Sequence, residues 1–254
     1  MKKITVSVIV SAYNSKDNLV QTLDSILEQT YERIEIIVKD GGSTDGTVEI
    51  LQEYANKNNS NIKYISSPDK GIYDSMNQGY HMSTGEIVVF MNDIFCVKTA
   101  VSQMVSLIEE DPTCIGGYAD YNYIKNEKIV RECKSGIGTI KQGWMPGHPT
   151  LFLKRDVYEK YGLYHTDYKI AADYEFIIRI LQDEQNKLCY LPCTIVSMFY
   201  GGTSTNGIRS YFNSWREGHR ALKSNHISKP LVIDIRRSFN VIKQFSILKN
   251  KKRR

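Results

Sequence analysis

The ten residues from Val38 to Thr47 constrain the fold more than any other part of this 254-residue chain. They read Val-Lys-Asp-Gly-Gly-Ser-Thr-Asp-Gly-Thr, with an apolar run before them and an amphipathic run after them. The pattern predicts a strand, a glycine-rich turn and a helix start that the Ser-Thr-Asp run can cap. Asp40 ends the strand, where open α/β sheets bind ligands, although a well-capped βα turn that binds nothing has the same pattern.

The first third of the chain alternates strands and helices. Apolar runs at 4–13, 34–40 and 62–65 predict three strands, and helical spacing after residues 15 and 47 predicts the helices between them, the first capped by Asn14 or Ser15. The order predicts an α/β sheet with right-handed crossovers. The first turn lacks Gly-x-Gly-x-x-Gly, which argues against an ordinary NAD-type site.

Composition and cysteine use point to an ordinary soluble protein. The chain is 41% hydrophobic and 24% charged, and no apolar run approaches the ~20 residues of a membrane span. Polar residues alternate with apolar ones near the N-terminus, which predicts a first strand instead of a signal peptide. The five cysteines show no Cys-x-x-Cys spacing, so we expect reduced thiols in a cytoplasmic protein, with no disulfide or zinc site.

The positive charge is concentrated in the C-terminal tail. Eight Lys or Arg and no acid follow residue 235, although the net charge of the whole chain is only +5. Residues 231–248 show an apolar stripe with basic residues beside it, which fits a helix lying on an anionic membrane surface. The alternative is a helix packed on the main domain with a basic end. No aromatic-basic platform supports nucleic-acid binding, so no nucleic acid is expected.

Two further segments place polar residues where a site is expected. Pro68 and Gly71 bracket a turn before a predicted helix that carries Ile72 and Met76 on its apolar face. Residues 86–91 then predict another strand, and the pair Asn92-Asp93 follows at its carboxyl end. Each of these features is common in α/β proteins that bind nothing there.

Taken together, the motifs resemble family 2 glycosyltransferases, and among them the bacterial members that build surface polysaccharide. The matching segments are 10–14, 40–47, 69–77 and 85–92, followed by 147–152, 171–176 and 201–204. The resemblance implies a GT-A fold: a Rossmann-like, mostly parallel central sheet flanked by helices, here with a C-terminal helical tail. It further implies a glycosyltransferase domain at 1–225, with a nucleotide-binding half to about residue 95 and an acceptor half after it, and a basic amphipathic tail at 226–254.

The resemblance also implies which residues hold the donor. Asp40 would accept from a uracil ring, and Lys70 would lie beside the pyrophosphate, where a point cation suits phosphate oxygens. The full set implied for the donor nucleotide is Ala12, Tyr13, Asn14, Asp40, Lys70, Gly71, Asn77 and Asn92.

A divalent metal, Mg²⁺ or Mn²⁺, is expected at Asp93. Family members usually carry two acidic positions here, whereas this chain has one, in Met-Asn-Asp-Ile-Phe. One carboxylate with donor phosphates can still hold Mg²⁺. The alternatives are a metal-independent enzyme or one that has lost activity.

The later motifs imply the catalytic and acceptor residues. Asp173 would be the general base, because a sugar hydroxyl needs a carboxylate within hydrogen-bond reach to take its proton. The competing interpretation of Asp173 is a helix cap. His148 would lie beside the donor sugar or the acceptor, and Gly202 and Thr203 would belong to a loop that closes over the diphosphate.

The sequence therefore predicts an inverting hexosyl- or N-acetylhexosaminyltransferase. It would transfer sugar from a nucleotide-diphosphate donor, UDP-sugar by expectation, to a glycan or lipid-linked acceptor in surface-polysaccharide synthesis. We expect it in the cytoplasm, where the tail could hold it peripherally at the inner face of the cell membrane. The alternatives are an inactive nucleotide-sugar binding scaffold and, less in keeping with the phosphate loop, a nucleotidyltransferase.

Overall fold

The computed structural model describes residues 3–57, 61–201 and 207–251, and the side chains of 207–210 and 242–251 lie outside this description. The first half is a parallel sheet in the order β3-β2-β1-β4. Its strands are β1 (Val6–Ala12), β2 (Ile34–Asp40), β3 (Ile62–Ser66) and β4 (Ile87–Phe90). Every residue of β2 is buried, as expected for a strand that helices cover on both faces.

The second half continues the same sheet. From β4 the order runs β8-β6-β9-β5, and β7 pairs with β6. The strands are β5 (Ile94–Phe95), β6 (Cys114–Lys125), β7 (Lys128–Cys133), β8 (Phe152–Lys154) and β9 (Lys187–Phe199). β6 and β9 run in the same direction as β1 to β4, whereas β5, β7 and β8 run against them. The mostly parallel central sheet is therefore confirmed.

Helices lie on both faces of the sheet. They are α1 (Lys16–Leu27), α2 (Thr47–Lys57), α3 (Ile72–Met82), α4 (Ala100–Glu110), α5 (Arg155–Tyr161), α6 (Ala172–Leu181), α7 (Gly207–Ser224) and α8 (Pro230–Lys251), with 3₁₀ turns at Ile140–Gln142 and His148–Thr150. Leu23 of α1 and Val8 of β1 share one hydrophobic core. Ile9, on the opposite face of β1, packs in a second core with Met76 of α3 and Ile177 of α6. The alternation along β1 thus sends side chains to two separate cores.

The expectation of reduced thiols is wrong for one cysteine pair. Cys114 and Cys189 form a disulfide, while Cys96, Cys133 and Cys193 are free. The two joined residues lie on the adjacent strands β6 and β9, which bring their Cα atoms to 5.9 Å, a usual span for a disulfide. Spacing along the sequence could not show this because 75 residues separate them.

The cap expected for α1 is also absent. Ser15 is at the N-cap position but makes no side-chain capping bond. The side chain of Asn14 reaches across to the next loop, where its Oδ1 accepts from the N–H of Thr44 at 3.0 Å. Asn14 therefore connects two loops at the sheet edge, and the N–H of Lys16 at the start of α1 donates instead to Oδ2 of Asp45 at 3.1 Å.

The C-terminal helix α8 begins at Pro230 and packs on the rest of the molecule over its first three turns. Ile233 and Asp234 are buried on its inner face. Leu231, Ile235 and Phe239 are exposed on its outer face. The expected tail boundary at residue 226 stays a prediction. None of the described helices has the length and apolar character needed to cross a membrane.

Candidate active site

The carboxyl ends of β1 and β2 meet at the sheet edge, where Ala12 pairs with Asp40. Ala12 is buried, whereas the next side chain, Tyr13, is 67% exposed beside Gly41. A Cβ at residue 41 would lie 2.8 Å from Oδ2 of Asp69 and 3.1 Å from the Tyr13 ring. A side chain at residue 41 would have to displace Asp69, and the three loops converge within contact distance at the predicted donor site.

The carboxylate of Asp40 accepts hydrogen bonds chiefly from the turn that directly follows it. Its Oδ2 accepts from the N–H groups of Gly42 and Ser43 and from the hydroxyl of Ser66, and its Oδ1 accepts from the hydroxyl of Ser43. Burial raises the pKa of Asp40, but these hydrogen bonds outweigh it and leave the pKa below its ordinary value. The expected contact with a uracil ring would have to compete with four protein donors.

Sequence analysis missed a buried ion pair next to Asp40. The ammonium of Lys39 is fully buried, donates to the carbonyls of Asp40 and Ser67 at 2.7 Å each, and lies 3.5 Å from Asp69 Oδ2. Asp69 in turn accepts from the N–H of Gly71 at 2.9 Å. The available signal was a lysine that directly follows the apolar run at 36–38 in a strand expected to be buried, since buried lysines are almost always paired.

Lys70 and Gly71 lie at the start of α3. Gly71 has φ of 116°, a conformation that favours glycine, and the N–H of Lys70 donates to Asp74 Oδ2 at 2.9 Å. The side chain of Lys70 is exposed. A cation beside a helix N-terminus is a suitable place for phosphate oxygens, as the sequence predicts.

Two predicted donor residues are occupied by protein contacts. Both polar groups of the Asn77 side chain bond the main chain of Tyr164, at 2.9 and 3.1 Å. The Oδ1 atom of Asn92 accepts from the N–H of Ser11 at 2.8 Å. Asn77 therefore joins α3 to the loop before α6, and Asn92 joins β1 to the end of β4. Their contacts with the donor stay predictions.

Asp93 is 8% exposed, and its Oδ1 accepts from the N–H of Phe199 at 2.9 Å. Burial raises its pKa to about 7, and that hydrogen bond opposes the shift. Within the described chain, the grouping with metal-ligand spacing is Asp111 with Cys114 and Cys189, whose sulfurs are joined in the disulfide. The predicted metal site thus has one protein carboxylate, which fits Mg²⁺ or Mn²⁺ only if donor phosphates complete the shell.

A cavity of about 930 Å³ opens between the sheet and helices α6, α7 and α8. We call it the aromatic cavity after its tyrosine and tryptophan lining: Tyr121, Tyr123, Trp144, Tyr174, Tyr200, Tyr211 and Trp215. Asp173 and His148 both line it, as do Lys134 and Ser135 of the loop after Cys133. Aromatic faces combined with a few convergent polar groups are typical of ligand sites.

Asp173 projects from the first turn of α6, where the helix dipole favours an anion. Its Oδ1 accepts from the hydroxyl of Tyr73 at 3.0 Å, and the same hydroxyl lies 2.7 Å from the carbonyl of Ile170. Burial, and then the charge of Asp173, raise the pKa of Tyr73, so the phenol keeps its proton. The phenol holds one oxygen of the predicted base, which leaves the other for a substrate.

His148 lies within electrostatic range of that carboxylate. Burial lowers the pKa of His148 and the charge of Asp173 raises it, with a net decrease. Its Nε2 is 2.9 Å from the hydroxyl of Tyr164, and its ring stacks on Phe90. A neutral, oriented imidazole therefore flanks the predicted base.

The structure brings Asp173 and His148 together but does not place every predicted residue with them. Asp40 and Asp93 are not among the side chains that line the aromatic cavity. Gly202 and Thr203, predicted to form a closing loop, lie outside the described residues. Glu175, two residues after Asp173, pairs with Arg179 at 2.8 Å and so has a structural role.

Comparison with protein families gives a match to Glycosyl transferase family 2 over residues 7–181, well over half of the chain. The chain belongs to this family. An uncharacterized glycosyltransferase of Mycobacterium tuberculosis is 32% identical over 181 residues, covering 69% of this chain and 68% of that protein. A PGL/p-HBAD biosynthesis glycosyltransferase of Mycobacterium bovis is 25% identical over 218 residues, 81% of each chain.

Solved structures confirm the GT-A fold of this glycosyltransferase. TarS of S. aureus superposes with a TM-score of 0.69 at 18% identity over 93% of this chain and 44% of that one. The mannosyltransferase PcManGT from Pyrobaculum calidifontis, solved with GDP-Man and Mn²⁺, gives 0.64 at 16% identity over 96% of this chain and 75% of that one. At these identities the likeness shows the fold alone.

Proposed function

We propose that this glycosyltransferase is an inverting enzyme that transfers a sugar from a UDP-sugar to a glycan or lipid-linked acceptor in surface-polysaccharide synthesis. The observation that carries the proposal is the position of Asp173: a carboxylate held by a phenol, beside the imidazole of His148, on the wall of an aromatic cavity. This arrangement suits a general base for a sugar hydroxyl.

The proposed reaction has one displacement step. The acceptor hydroxyl lies against the free oxygen of Asp173, which takes its proton as the hydroxyl oxygen bonds to the anomeric carbon. The bond from that carbon to the diphosphate breaks, and its electron pair leaves with the diphosphate. Attack from the face opposite the leaving group inverts the anomeric centre.

The proposed donor site is the sheet edge at Tyr13 and Gly41, with the diphosphate at Lys70 and the start of α3. Support for UDP comes from TarS, which has been solved with UDP and with UDP-GlcNAc. The transferred sugar would be a hexose or an N-acetylhexosamine. Isothermal titration with UDP and GDP would test the base preference, and tighter binding of GDP would contradict this assignment.

A divalent metal is part of the proposal only together with the donor. Asp93 would hold it with the diphosphate oxygens, and the ion would supply charge neutralisation at the leaving group. We expect Mn²⁺ to raise the melting temperature in the presence of UDP but not in its absence, and Asp93→Asn to lose this increase. Full stabilisation by Mn²⁺ without nucleotide, or in the variant, would contradict this site.

We further propose that the protein works at the cytoplasmic face of the membrane, held by the outer face of α8. Ile235 and Phe239 are exposed there beside the basic residue Arg236. Native protein should co-sediment with phosphatidylglycerol vesicles more than with phosphatidylcholine vesicles, and the double change Ile235→Ser with Phe239→Ser should abolish the difference. Ile137→Ser, which removes an exposed isoleucine elsewhere, is the control. Native protein that stays in the supernatant with both vesicles would refute membrane attachment.

The decisive experiment on catalysis replaces Asp173 by Asn. Transfer should fall by about 10² to 10⁴-fold, while UDP binding measured by calorimetry stays at the native value. Asp167→Asn, an exposed aspartate near the same helix, is the matched control and should keep native turnover. Unchanged transfer in Asp173→Asn would refute the base. Native protein that binds UDP and transfers nothing to any acceptor tested would favour the scaffold alternative, which the lone buried carboxylate Asp93 supports.

A further inference from the structure

The C-terminal helix α8 is part of the wall of the aromatic cavity. Nη1 of Arg236 donates to the carbonyl of Lys141 at 2.7 Å, and the amide of Asn240 donates to the carbonyls of Gln142 and Gly143 at 3.2 Å each. These bonds fix α8 against the 3₁₀ turn beside the cavity. The inner face of the helix consequently presents the next residue, Arg237, to the cavity.

The side chain of Arg237 packs closely between α6 and α7. Its guanidinium is 4.5 Å from the centre of the Tyr174 ring, and its side chain is 19% exposed. On the α7 side the close neighbour is Gly218, where a Cβ would lie 2.1 to 2.6 Å from the guanidinium atoms. Glycine at 218 therefore makes the room that this cation occupies.

The protein uses few of the donors that Arg237 offers. A guanidinium carries five N–H donors. Among the described residues, Arg237 makes one long hydrogen bond, 3.4 Å to the carbonyl of Ser214, and lies 4.0 Å from Oδ1 of Asp234. The other oxygen of Asp234 is 2.6 Å from Nδ1 of His219. The carboxylate of Asp234 thus compensates the charge of Arg237 but accepts no hydrogen bond from its guanidinium.

A second observation at the same place points to a ligand. The hydroxyl of Tyr174, a residue that is 2% exposed and lines the cavity, lies beside the guanidinium of Arg237 but makes no hydrogen bond of ordinary geometry among the described residues. A buried hydroxyl without a partner is costly, so a ligand oxygen here would satisfy it. Tyr174 directly follows Asp173 along α6.

The charge of the cavity wall indicates the sign of that ligand. Arg131, Lys134 and Arg237 are the cations among its described lining residues, against the single carboxylate of Asp173. Lys134 is already paired with Asp120 at 2.9 Å. Arg131 lies over the ring of Tyr123, 5.0 Å from its centroid. The wall therefore carries more positive than negative charge, and the guanidinium of Arg237 suits the planar oxygens of phosphate or carboxylate.

We propose that the acceptor carries an anionic group, a phosphate or a carboxylate, which Arg237 and the hydroxyl of Tyr174 bind while its reacting hydroxyl lies at Asp173. This inference rests on the proposed function, since it names the acceptor class of the same site. Arg237 is then a specificity residue supplied by the C-terminal helix, and removal of this helix would remove acceptor recognition.

Fluorescence gives a direct test because Trp144 and Trp215, the two tryptophans of the chain, both line the cavity. The full-length protein, saturated with UDP to fill the donor site, is titrated with glucose 1-phosphate, glucuronate and methyl glucoside. We expect the two anions to change the emission and to bind more tightly than the neutral glycoside, and the tighter anion identifies the group. Equal affinity for all three would overturn the proposal.

Variants locate the binding. Arg237→Gln and, independently, Tyr174→Phe should weaken anion binding, the first by about 10- to 100-fold, while methyl glucoside binding stays unchanged. Arg216→Gln removes the same charge from an exposed residue of α7 that does not line the cavity, and it should bind like the native protein. Native anion affinity in Tyr174→Phe and in any folded Arg237→Gln, or an equal loss in Arg216→Gln, would overturn the assignment.

UDP calorimetry on each variant separates this proposal from the proposed function. UDP affinity should be native in all of them, and a matching loss of UDP affinity in Arg237→Gln would assign the residue to the donor diphosphate instead. If the native protein does not bind UDP, only the proposed function is contradicted. Anion binding can then still be measured without nucleotide by the same fluorescence titration.

Discussion

Two aspartates at the carboxyl ends of β2 and β4 have pKa shifts of opposite sign. Both are buried, which by itself raises a carboxyl pKa. Asp40 has four protein donors that outweigh this effect, whereas Asp93 has one backbone N–H that does not. The number of donors that reach a buried carboxylate thus decides its charge, and with it the pH range in which it supports the fold.

For Asp40 the lowered pKa stabilises the folded state above the ordinary value of 3.8, and this stabilisation is lost as the pH falls below it. Asp40→Asn should therefore unfold about 1 to 3 kcal/mol more easily near neutral pH, because an amide cannot accept all four bonds. The difference from the native protein should shrink in acid. Urea denaturation at several pH values checks this, and a difference independent of pH would contradict it.

For Asp93 the sign is reversed. A raised pKa means that the folded state prefers the protonated form, so stability falls as the pH rises from about 4 to about 7 and changes no further above that. Asp93→Asn, which cannot ionise, should gain melting temperature relative to the native protein across this range. Thermal denaturation without metal measures it, with Asp167→Asn as an exposed control that should show no such trend.

At the residue scale, motifs in the sequence lead to Asp173 and His148, and the structure brings both to one cavity. They could be found because each is part of a local motif. The pairing of Lys39 with Asp69 could not be found from a local motif, since it joins a strand to a loop 30 residues later. The contacts of Asn77 could not be found either, because a sequence cannot show that the main chain of Tyr164 uses its amide.

At the scale of the helices and strands, the packing of α8 on the rest of the molecule depends on Gly143. Its φ is 71°, and a Cβ there would lie 2.5 Å from the backbone nitrogen of Arg237. Gly143→Ala should therefore lose about 1 to 2 kcal/mol from the left-handed backbone and a further 1 to 3 kcal/mol, roughly, from the contact with α8.

Gly136→Ala is the matched comparison for this change, because Gly136 has φ of 57° with no atom within 4 Å of the added Cβ. It should show the backbone loss alone. Free energies of unfolding in urea give both values, and limited proteolysis should release α8 from the Gly143 variant first. Equal losses in the two variants would mean that α8 does not rest on this turn.

Elements with a clear period were predictable, and those without one were not. The strands through β4 and helices α3, α4 and α6 follow apolar spacing in the sequence. β9 lacks such a signal because Pro192 interrupts it, and the ladder with β6 shifts register at that point. β9 completes the sheet, yet apolar spacing does not reveal it, so the second half of the fold was the harder part to predict.

At the scale of the whole molecule, the disulfide between Cys114 and Cys189 closes a loop of 75 residues that contains β7, β8, α5 and α6. Replacing both cysteines by alanine should lower the free energy of unfolding by about 2 to 4 kcal/mol in oxidising buffer. Cys96→Ala, at an exposed free thiol, should change little. A native protein whose melting temperature is the same with and without dithiothreitol would contradict this contribution.

The aromatic cavity is likewise a property of the whole chain. Its lining runs from Tyr121 on β6 to Val241 on α8, and it exists only once the helices of the second half close over the sheet. Local sequence patterns identify the carboxylate on its wall, but they contain no information on the wall opposite. This is why the sequence predicts the chemistry of the site and leaves the acceptor open.

The hydroxyl of Tyr73 joins the first half of the molecule to the predicted base by a hydrogen bond. It projects from α3, the helix whose first residues are proposed to receive the diphosphate, and its one proton is shared between the Ile170 carbonyl and Asp173. A small shift of α3 on nucleotide arrival would be transmitted to the carboxylate. The kinetic consequence is a compulsory order, with nucleotide first and acceptor second, which product-inhibition patterns would reveal and which Tyr73→Phe should convert to random entry.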